Sequence, residues 1–226
     1  MVGYESWAKR WKSDPARVTL GKKLKGAISP PGPVRSQIIQ ARYKISNQIT
    51  RLDYSVSRLH AYDKQLFEKV VNSIVEGDRT RAAMYANEIA EIRKMAKVIM
   101  TVRYALERVK IKLDTALIMG DTHANLAPAV VALKQVAGYL RNMMPDVFTE
   151  LLSIDEELQV ALMQSTSGLP DMLSTTYVSE EAQKILKEAS IIAEQRIKEN
   201  FPELPKLDVS APTGTGIPGA LAEEGK

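Results

Sequence analysis

A seven-residue repeat of large aliphatic side chains limits the fold of this chain more strongly than any other feature of its sequence. The repeat runs through Ile38, Ile45, Leu52, Leu59 and Leu66. A second series contains Ile49, Val56 and Val70, with Arg42 and Asp63 at two of its positions. Because residues seven apart lie on one face of an α-helix, the two series predict a helix over 34–75 with an apolar seam. About 42 residues give roughly 63 Å of helix, which needs a partner of similar length.

The same spacing returns after the short segment "VEGDRTR". It runs through Tyr85, Ile92, Ile99, Leu106 and Leu113, with a companion series of Met95, Val102, Val109 and Ala116. Gly77 suits the C-terminal cap of the first helix, and Asp78 suits the N-cap of the second. Because the turn is short, the second helix should return antiparallel and end near Met119–Gly120. The matched seams predict a long helical hairpin, in which each buried Ile or Leu contributes on the order of 1.5–3 kcal/mol.

Shorter helical segments follow the hairpin. Helical periodicity resumes at Val130 and is broken at Pro145, which opens a fourth helix with an acidic face. A fifth, amphipathic helix is expected to begin at Ser179 as its N-cap and to run to Asn200. No stretch alternates apolar and polar residues, so no strands are expected and the predicted fold class is all-α. The predicted units are a basic N-terminal arm over 1–33, a helical core over 34–164, a linker over 165–178, an acidic regulatory helix over 179–200 and a flexible tail over 201–226.

Charge is distributed unevenly along the chain. Residues 1–64 carry 13 basic and 4 acidic side chains, a net charge of +9, whereas residues 114–226 carry 8 basic and 17 acidic side chains, a net charge of −9. The two halves could attract each other within one molecule or between molecules, and either half could bind an oppositely charged surface. The alternative is that solvated helix faces simply differ in charge.

Several kinds of chemistry find no support in the sequence. The chain has no cysteine, and its two histidines, His60 and His123, lack the neighbours of a zinc site, so both are expected to be structural. Nucleotide-binding and hydrolase motifs are absent, and we expect no enzyme activity, cofactor or metal. Neither a secretory leader nor an apolar run of about 18 residues is present, so we expect a cytoplasmic protein that is soluble or peripheral to a membrane.

Both tryptophans lie in the arm, within "YESWAKRW". If this segment is helical, Tyr4, Trp7 and Trp11 share one face, and cations lie on its other sides. Aromatic rings beside cations are typical of an interfacial membrane anchor. The basic residues of the arm that we assign to membrane binding are Lys9, Arg10, Lys12, Lys22, Lys23 and Lys25. The alternative is that the tryptophans pack back on the hairpin as core.

The first helix carries a further set of cations beside its apolar seam. Lys44, Arg51 and Arg58 are spaced by seven, and Arg35 and Arg42 flank them. The electrostatic attraction of an acidic membrane surface contributes about 1 kcal/mol for each basic residue near it, so we predict that this stripe binds lipid. The alternative is a solvated helix face.

The order of these features resembles the ESCRT-III proteins. A basic N-terminal half, a long helical hairpin, an acidic C-terminal half and a proline-bearing tail carry the resemblance over about residues 34–160. The stretch "EGDRTRAAMYANEIAEIRKM" resembles the start of the second helix in that family, and "ITRLDYSVSRLHAYDKQLFEKVV" looks most like the archaeal cell-division branch, the CdvB family. The residues after Pro212 are too few and too rich in glycine for the winged-helix-like segment of some members, so we expect the chain to be similar to the shorter paralogues.

The resemblance implies an elongated polymer-forming protein that binds an acidic membrane surface at the archaeal division site, remodels and constricts it, and is disassembled by an AAA ATPase. It implies homopolymers, paralogous partners and a proline-type motif for the MIT domain of the ATPase, with no nucleic acid as ligand. The residues that match this motif are Phe201, Pro202, Leu204, Pro205 and Leu207. The alternative for this segment is a plain proline-rich linker.

The resemblance also implies a closed form, in which the fifth helix folds back near the hairpin tip. Its acidic residues Glu180, Glu181, Glu188, Glu194 and Glu199 would face the basic hairpin, and its apolar residues Ile185, Leu186, Ala189, Ile192 and Ala193 would pack against it.

Two other functions stay open on the residues alone. A pI of about 9.1 and the basic arm are compatible with nucleic-acid binding, and the hairpin is compatible with a curvature-sensing coiled coil that does not polymerise.

Overall fold

A computed structural model describes residues 33–119, 122–165 and 175–205 of the chain. These ranges contain five helices: α1 (Pro33–Val75), α2 (Arg79–Met119), α3 (Thr122–Leu140), α4 (Pro145–Ser165) and α5 (Thr175–Asn200). No strand occurs in the described ranges. The predicted all-α fold with a long α1–α2 hairpin is confirmed. The predicted arm anchor and Leu207 lie outside the described residues.

The turn between α1 and α2 forms as its residues predicted. Gly77 adopts a φ of 78°, a left-handed conformation that glycine reaches without a Cβ penalty. The Gly77 amide donates to the Ile74 carbonyl at 3.1 Å and the Asp78 amide to the Ser73 carbonyl at 2.9 Å, which together cap α1. The Asp78 carboxylate in turn accepts a hydrogen bond from the Arg81 amide at 2.9 Å, which caps α2.

The two seams meet along the hairpin. Most large side chains of the seams are buried, including Ile38, Ile45, Leu52, Leu66, Ile92, Ile99, Leu106 and Leu113. Towards the tip, a separate buried cluster of Leu66, Val70, Ala82, Ile89 and Ile92 belongs to α1 and α2 alone. Burial of these seams therefore holds the hairpin closed along its length.

The charged residues that interrupt the α1 seam each have a partner on α2. Asp63 is only 1% exposed, and its two carboxylate oxygens accept hydrogen bonds from Arg93 at 2.7 and 3.1 Å. Arg42 pairs with Asp114 at 2.5 Å. Burying a carboxylate costs free energy unless the carboxylate is paired, and Arg93 offsets that cost for Asp63. Because the pair joins α1 to α2, it also helps to set the register of the two helices.

Replacing Arg93 should strongly destabilise the hairpin. Arg93→Ala leaves Asp63 buried without its partner, and we expect the free energy of unfolding to fall by about 3–5 kcal/mol, the usual cost of breaking one side of a buried pair. Urea unfolding followed by circular dichroism measures this. Lys94→Ala is the matched control, because Lys94 is exposed and pairs only with Glu91 of its own helix. Equal urea midpoints for Arg93→Ala and Lys94→Ala would contradict the role of Arg93 as the partner of the buried Asp63.

The helices α3 and α4 cover the open end of the hairpin. α3 packs on α2 and α4, and α4 packs on α1. α3 begins at Thr122, eight residues before the predicted Val130, and includes Pro128 near its N-terminal end. Proline disfavours a helix, but the stretch around Pro128 is rich in alanine and buries four other side chains: Leu126, Ala127, Ala129 and Val130. His123 therefore belongs to the first turn of α3 and not to a loop.

Pro145 begins α4, as predicted, in the helical position where its missing N–H removes no helical hydrogen bond.

α4 also carries a buried acid: Asp155 is 3% exposed and accepts a hydrogen bond from Gln159 at 2.6 Å. Burial raises the pKa of Asp155, and the Gln159 hydrogen bond and the charge of Lys134 offset part of that effect.

Candidate functional site: the docked fifth helix

The fifth helix lies along α2 and α3. It begins at Thr175, four residues before the predicted cap at Ser179, so Ser179 lies inside the helix. Its ion pairs with α2 run from Lys112 to Lys97 as its own residue numbers rise from Glu181 to Glu194, which makes α5 antiparallel to α2. The fold-back is therefore as expected, but its position is not. α5 lies along α2 from its middle, at Lys97, to near its open end, at Lys112, and the prediction of packing near the tip was wrong.

Acidic side chains of α5 pair with a row of cations on α2. Glu181 lies 3.2 Å from Lys112, Glu188 lies 3.3 Å from Arg108, and Glu194 lies 3.5 Å from Lys97. All three pairs remain partly open to solvent, where ion pairs contribute little stability and are screened by salt. They orient α5 and mask the positive charge of α2. Of the other two glutamates, Glu180 is exposed and Glu199 pairs with Arg196 of its own helix.

The charge of Lys97 lowers the pKa of Glu194, and its hydrogen bond and the nearby Lys198 add to the effect. A carboxyl whose pKa is lowered in the docked state supports docking above its ordinary pKa. That support is lost as the pH falls through the lowered value. The pair therefore favours docking at neutral pH and weakens it in acid.

An apolar stripe supplies the main part of the docking energy. Ala182, Ile185 and Ala189 are buried in the same core cluster as the α1–α4 residues. Further along, Ala193 is buried with Ala96 and Met100 of α2. Alanines at this contact let the helices approach closely, and Leu186 and Ile192 lie half-buried at the margin. Four of the five predicted apolar residues thus pack in the core clusters, and Ile192 lies half-buried beside them.

The segment after α5 begins with an aromatic contact to both hairpin helices. Phe201 is 4% exposed and packs in the cluster of Ala96, Met100 and Ala193. The His60 ring meets it edge to face with centroids 5.3 Å apart, and the Arg93 guanidinium lies 5.6 Å from its centroid. His60 Nε2 is also 2.9 Å from the carbonyl oxygen of Asn200. Phe201 is therefore held by packing, by a cation–π contact and by a neighbouring hydrogen bond.

The rest of the proline-bearing segment continues along the hairpin. Leu204 is half-buried and packs against the tip-side cluster that contains Leu66 and Ile92. Pro202 is exposed and Pro205 is half-buried. Two of the predicted MIT-binding side chains thus contact the hairpin of their own chain, while Pro202 faces solvent.

The predicted basic stripe of α1 does not form one uncovered surface. Arg42 pairs with α2, and Lys44 pairs with Glu157 of α4. Arg35 donates to the Leu117 carbonyl at 3.2 Å. Arg51 and Arg58 are exposed, and Arg58 lies over the ring of Tyr54. The stripe is divided because Arg42 and Lys44, two residues apart, point to different sides of the helix.

The sequence reasoning missed the α2 cations that α5 covers. Lys97, Arg108 and Lys112 lie on the same side of α2 as Arg93, at separations of four, fifteen and nineteen residues from it. That spacing was a readable signal, because these positions recur on one helix face. His60 was treated as structural, and its contact with Phe201 agrees with a packing role. No group of His, Asp or Glu in the described ranges could hold a metal ion.

No helix in the described ranges is long and apolar enough to cross a membrane. No family profile matches the chain, and no solved structure matches it. Similarity to curated proteins decides the family. Cell division protein B1 of Sulfolobus acidocaldarius is 42% identical over 180 residues, which cover 79% of this chain and 83% of the relative.

This chain belongs to the CdvB family. Cell division protein B of the same organism is 36% identical over 168 residues, covering 74% of this chain and 64% of that protein. Vacuolar protein-sorting-associated protein 24 of Saccharomyces cerevisiae is 23% identical over 192 residues, covering 83% of this chain and 84% of the relative. The CdvB assignment and the hairpin fold confirm the resemblance to ESCRT-III-like cell-division proteins.

Proposed function

We propose that this CdvB-family protein polymerises on the inner face of the cell membrane at the division site, where it remodels and constricts the membrane. In the proposed cycle the chain is stored closed, with α5 on the hairpin. Opening exposes the surfaces for membrane and for other subunits, and an AAA ATPase later disassembles the polymer. The proposal rests chiefly on one observation: an acidic helix covers a basic face of α2 through three ion pairs and a buried apolar stripe.

Exposed apolar side chains at the ends of the hairpin support self-assembly, with copies of the chain or with paralogues. At the tip, Val75 is 81% exposed and Met84 67% exposed, and at the open end Ile118 is 83% exposed. Apolar surface of this kind is typical of interaction sites. A contact between different ends of two copies would be head-to-tail, and such contacts generate open filaments when the rotation does not close.

The membrane contact is proposed for the N-terminal arm together with exposed cations of the hairpin. Changing Trp7 and Trp11 to Ala together should weaken vesicle binding well beyond any loss of charge, because the rings supply the apolar part of an interfacial anchor. Co-sedimentation with vesicles of phosphatidylcholine and phosphatidylserine at physiological salt measures this. Lys9→Ala with Lys12→Ala is the charge control. Unchanged sedimentation of the tryptophan variant would contradict the anchor. Duplex DNA at equal salt tests the nucleic-acid alternative.

The ATPase contact is proposed for the proline-bearing segment. Replacing Pro202, Leu204 and Pro205 with Ser should abolish binding to the MIT domain of the cognate ATPase, because an extended segment binds a groove through its apolar side chains and its restricted backbone. Vesicle binding should stay intact and serves as the control. A calorimetric titration with unchanged affinity would show that the segment is only a linker.

A further inference from the structure

An open groove of about 320 Å³ lies between α1, α2 and the turn that joins α3 to α4. Met95 of α2 lines this groove. Lys97, which pairs with α5, follows two residues later and therefore lies about 200° further around the helix. The groove and the α5 contact are thus on different sides of α2.

Apolar side chains form most of the groove. Besides Met95, they are Met143 and Met144 of the turn and Leu59 and Tyr62 of α1, and all five keep part of their surface exposed to solvent. Methionine is unbranched and its sulfur contacts aromatic rings favourably, so such a lining adapts to an aromatic side chain. A volume of about 320 Å³ is at the lower end of the range for ligand pockets, which suits a large side chain better than a whole helix.

The rim of the groove suits an aromatic ring that has cations beside it. Arg58 lines the groove, is exposed, and lies 5.9 Å from the centroid of the Tyr54 ring, so its guanidinium is placed where it can stack on aromatic faces. At the α2 side, the Glu88 carboxylate accepts a hydrogen bond from the Tyr62 hydroxyl at 2.7 Å. Glu88 therefore brings negative charge to the groove, which attracts cations next to a bound ring.

We propose that this groove binds the Trp7–Trp11 segment of the same chain's N-terminal arm. Both tryptophans of the protein lie in that segment, with three cations beside them. Residues 1–32 hold seven basic and two acidic side chains, a net charge of +5, which is complementary to Glu88 at the rim. In water the segment thus has a site on its own chain that shelters an indole ring.

The arm is long enough to reach the groove. α1 begins at Pro33, and Leu59 lies 26 residues further, which is about 39 Å along the helix. Trp11 precedes Pro33 by 22 residues, and an extended chain of that length spans roughly 73–79 Å. A covalent connection of this kind gives the segment an effective concentration on the order of 1 mM at the groove, so a contact with a Kd of about 0.1 mM is occupied in about nine chains of ten.

Docking of the arm does not depend on the proposed membrane contact, but it affects how that contact forms. The groove and the lipid compete for the same two rings, so membrane binding has to remove them from the groove. This consequence rests on the proposed function of the arm, whereas the docking is tested without any membrane.

The test uses tryptophan fluorescence. Trp7 and Trp11 are the only tryptophans of the chain, so their emission maximum and its quenching by acrylamide report on the arm alone. The full chain is measured without vesicles at concentrations below assembly. Met95→Arg places a charge in the groove, and Met119→Arg makes the same exchange on the same helix at a position that is 75% exposed and is the matched control.

Glu88→Lys is a second groove variant that changes only an exposed side chain. Circular dichroism checks that each variant remains helical. We expect a blue-shifted emission for the unchanged chain and Met119→Arg, with about one tenth of the emission accessible to acrylamide. Met95→Arg should raise the accessible fraction about tenfold, because release converts a minor state into the whole population. Glu88→Lys should raise it by a smaller factor.

Three results would overturn the proposal. Emission of the unchanged chain that matches free N-acetyltryptophanamide would show that the rings are not docked. Shielding that persists in both groove variants would show that they pack elsewhere. Shielding that disappears on dilution would assign the groove to the arm of a second copy. None of these results bears on vesicle binding, so the docking and the membrane contact fail separately.

Discussion

Truncating the chain after Ser174 should lower the protein concentration at which filaments form on acidic vesicles by about tenfold or more. The truncation removes α5 from its first residue, Thr175, and with it every contact that α5 makes with α2. Tenfold corresponds to about 1.4 kcal/mol, and burial of Ile185 alone is of that order. Sedimentation and light scattering across a protein concentration series measure the change.

Truncation after Pro205 is the matched control, because it keeps α5, Phe201 and Leu204 in the chain. It should assemble at the same concentration as the full chain. The inhibitory role of α5 would be contradicted if the Ser174 truncation assembled no more readily than this control across a range of salt. It would also be contradicted if the truncated protein formed only amorphous aggregates that are independent of vesicles.

Locking α5 onto the hairpin should have the opposite and larger effect. The chain contains no cysteine, so a pair introduced at positions 96 and 193 is the only thiol pair present. Ala96 and Ala193 are both buried in one cluster that joins α2 to α5. Oxidised Ala96→Cys/Ala193→Cys should fail to form filaments, because a disulfide prevents release of the helix, and reduction should restore assembly.

The reduced form of the same protein is the control for the two substitutions, and single-cysteine variants control for links between molecules. Gel mobility without reductant reports whether the internal disulfide has formed, since its geometry requires close approach of the two Cβ atoms. Filaments that form equally well in the oxidised and reduced protein would show that release of α5 is not needed for assembly.

The hairpin could be predicted from the sequence because its determinants are local and repeated. Seven-residue spacing predicts which side of each helix is buried, and a glycine followed by an aspartate predicts the turn. The spacing within α1 shows Asp63 only as an interruption of the seam. Its partner Arg93 lies thirty residues away on another helix, and a pairing across the hairpin cannot be deduced from the spacing within α1 alone.

The docking of α5 was predictable in kind but not in place. Opposite net charges of the two halves favour contact, whereas the choice of α2 over α1, and of the middle over the tip, depends on the packing of Ala193 against Ala96. The same limit applies to Phe201, whose apolar and aromatic character is equally suited to a partner's groove and to its own hairpin. The start of α3 was predicted too late because proline usually interrupts a helix. Here the favourable residues around Pro128 outweigh the one hydrogen bond that its missing N–H removes.

Electron microscopy of the purified chain on vesicles tests the central claim most directly. The full chain and the Ser174 truncation should be imaged on phosphatidylcholine vesicles with and without phosphatidylserine, at one protein concentration between their two assembly thresholds. The account predicts membrane-bound filaments for the truncation on the acidic vesicles, and few or none for the full chain or on neutral vesicles. Vesicles that both proteins coat without any filament, or filaments that form equally for both, would contradict it.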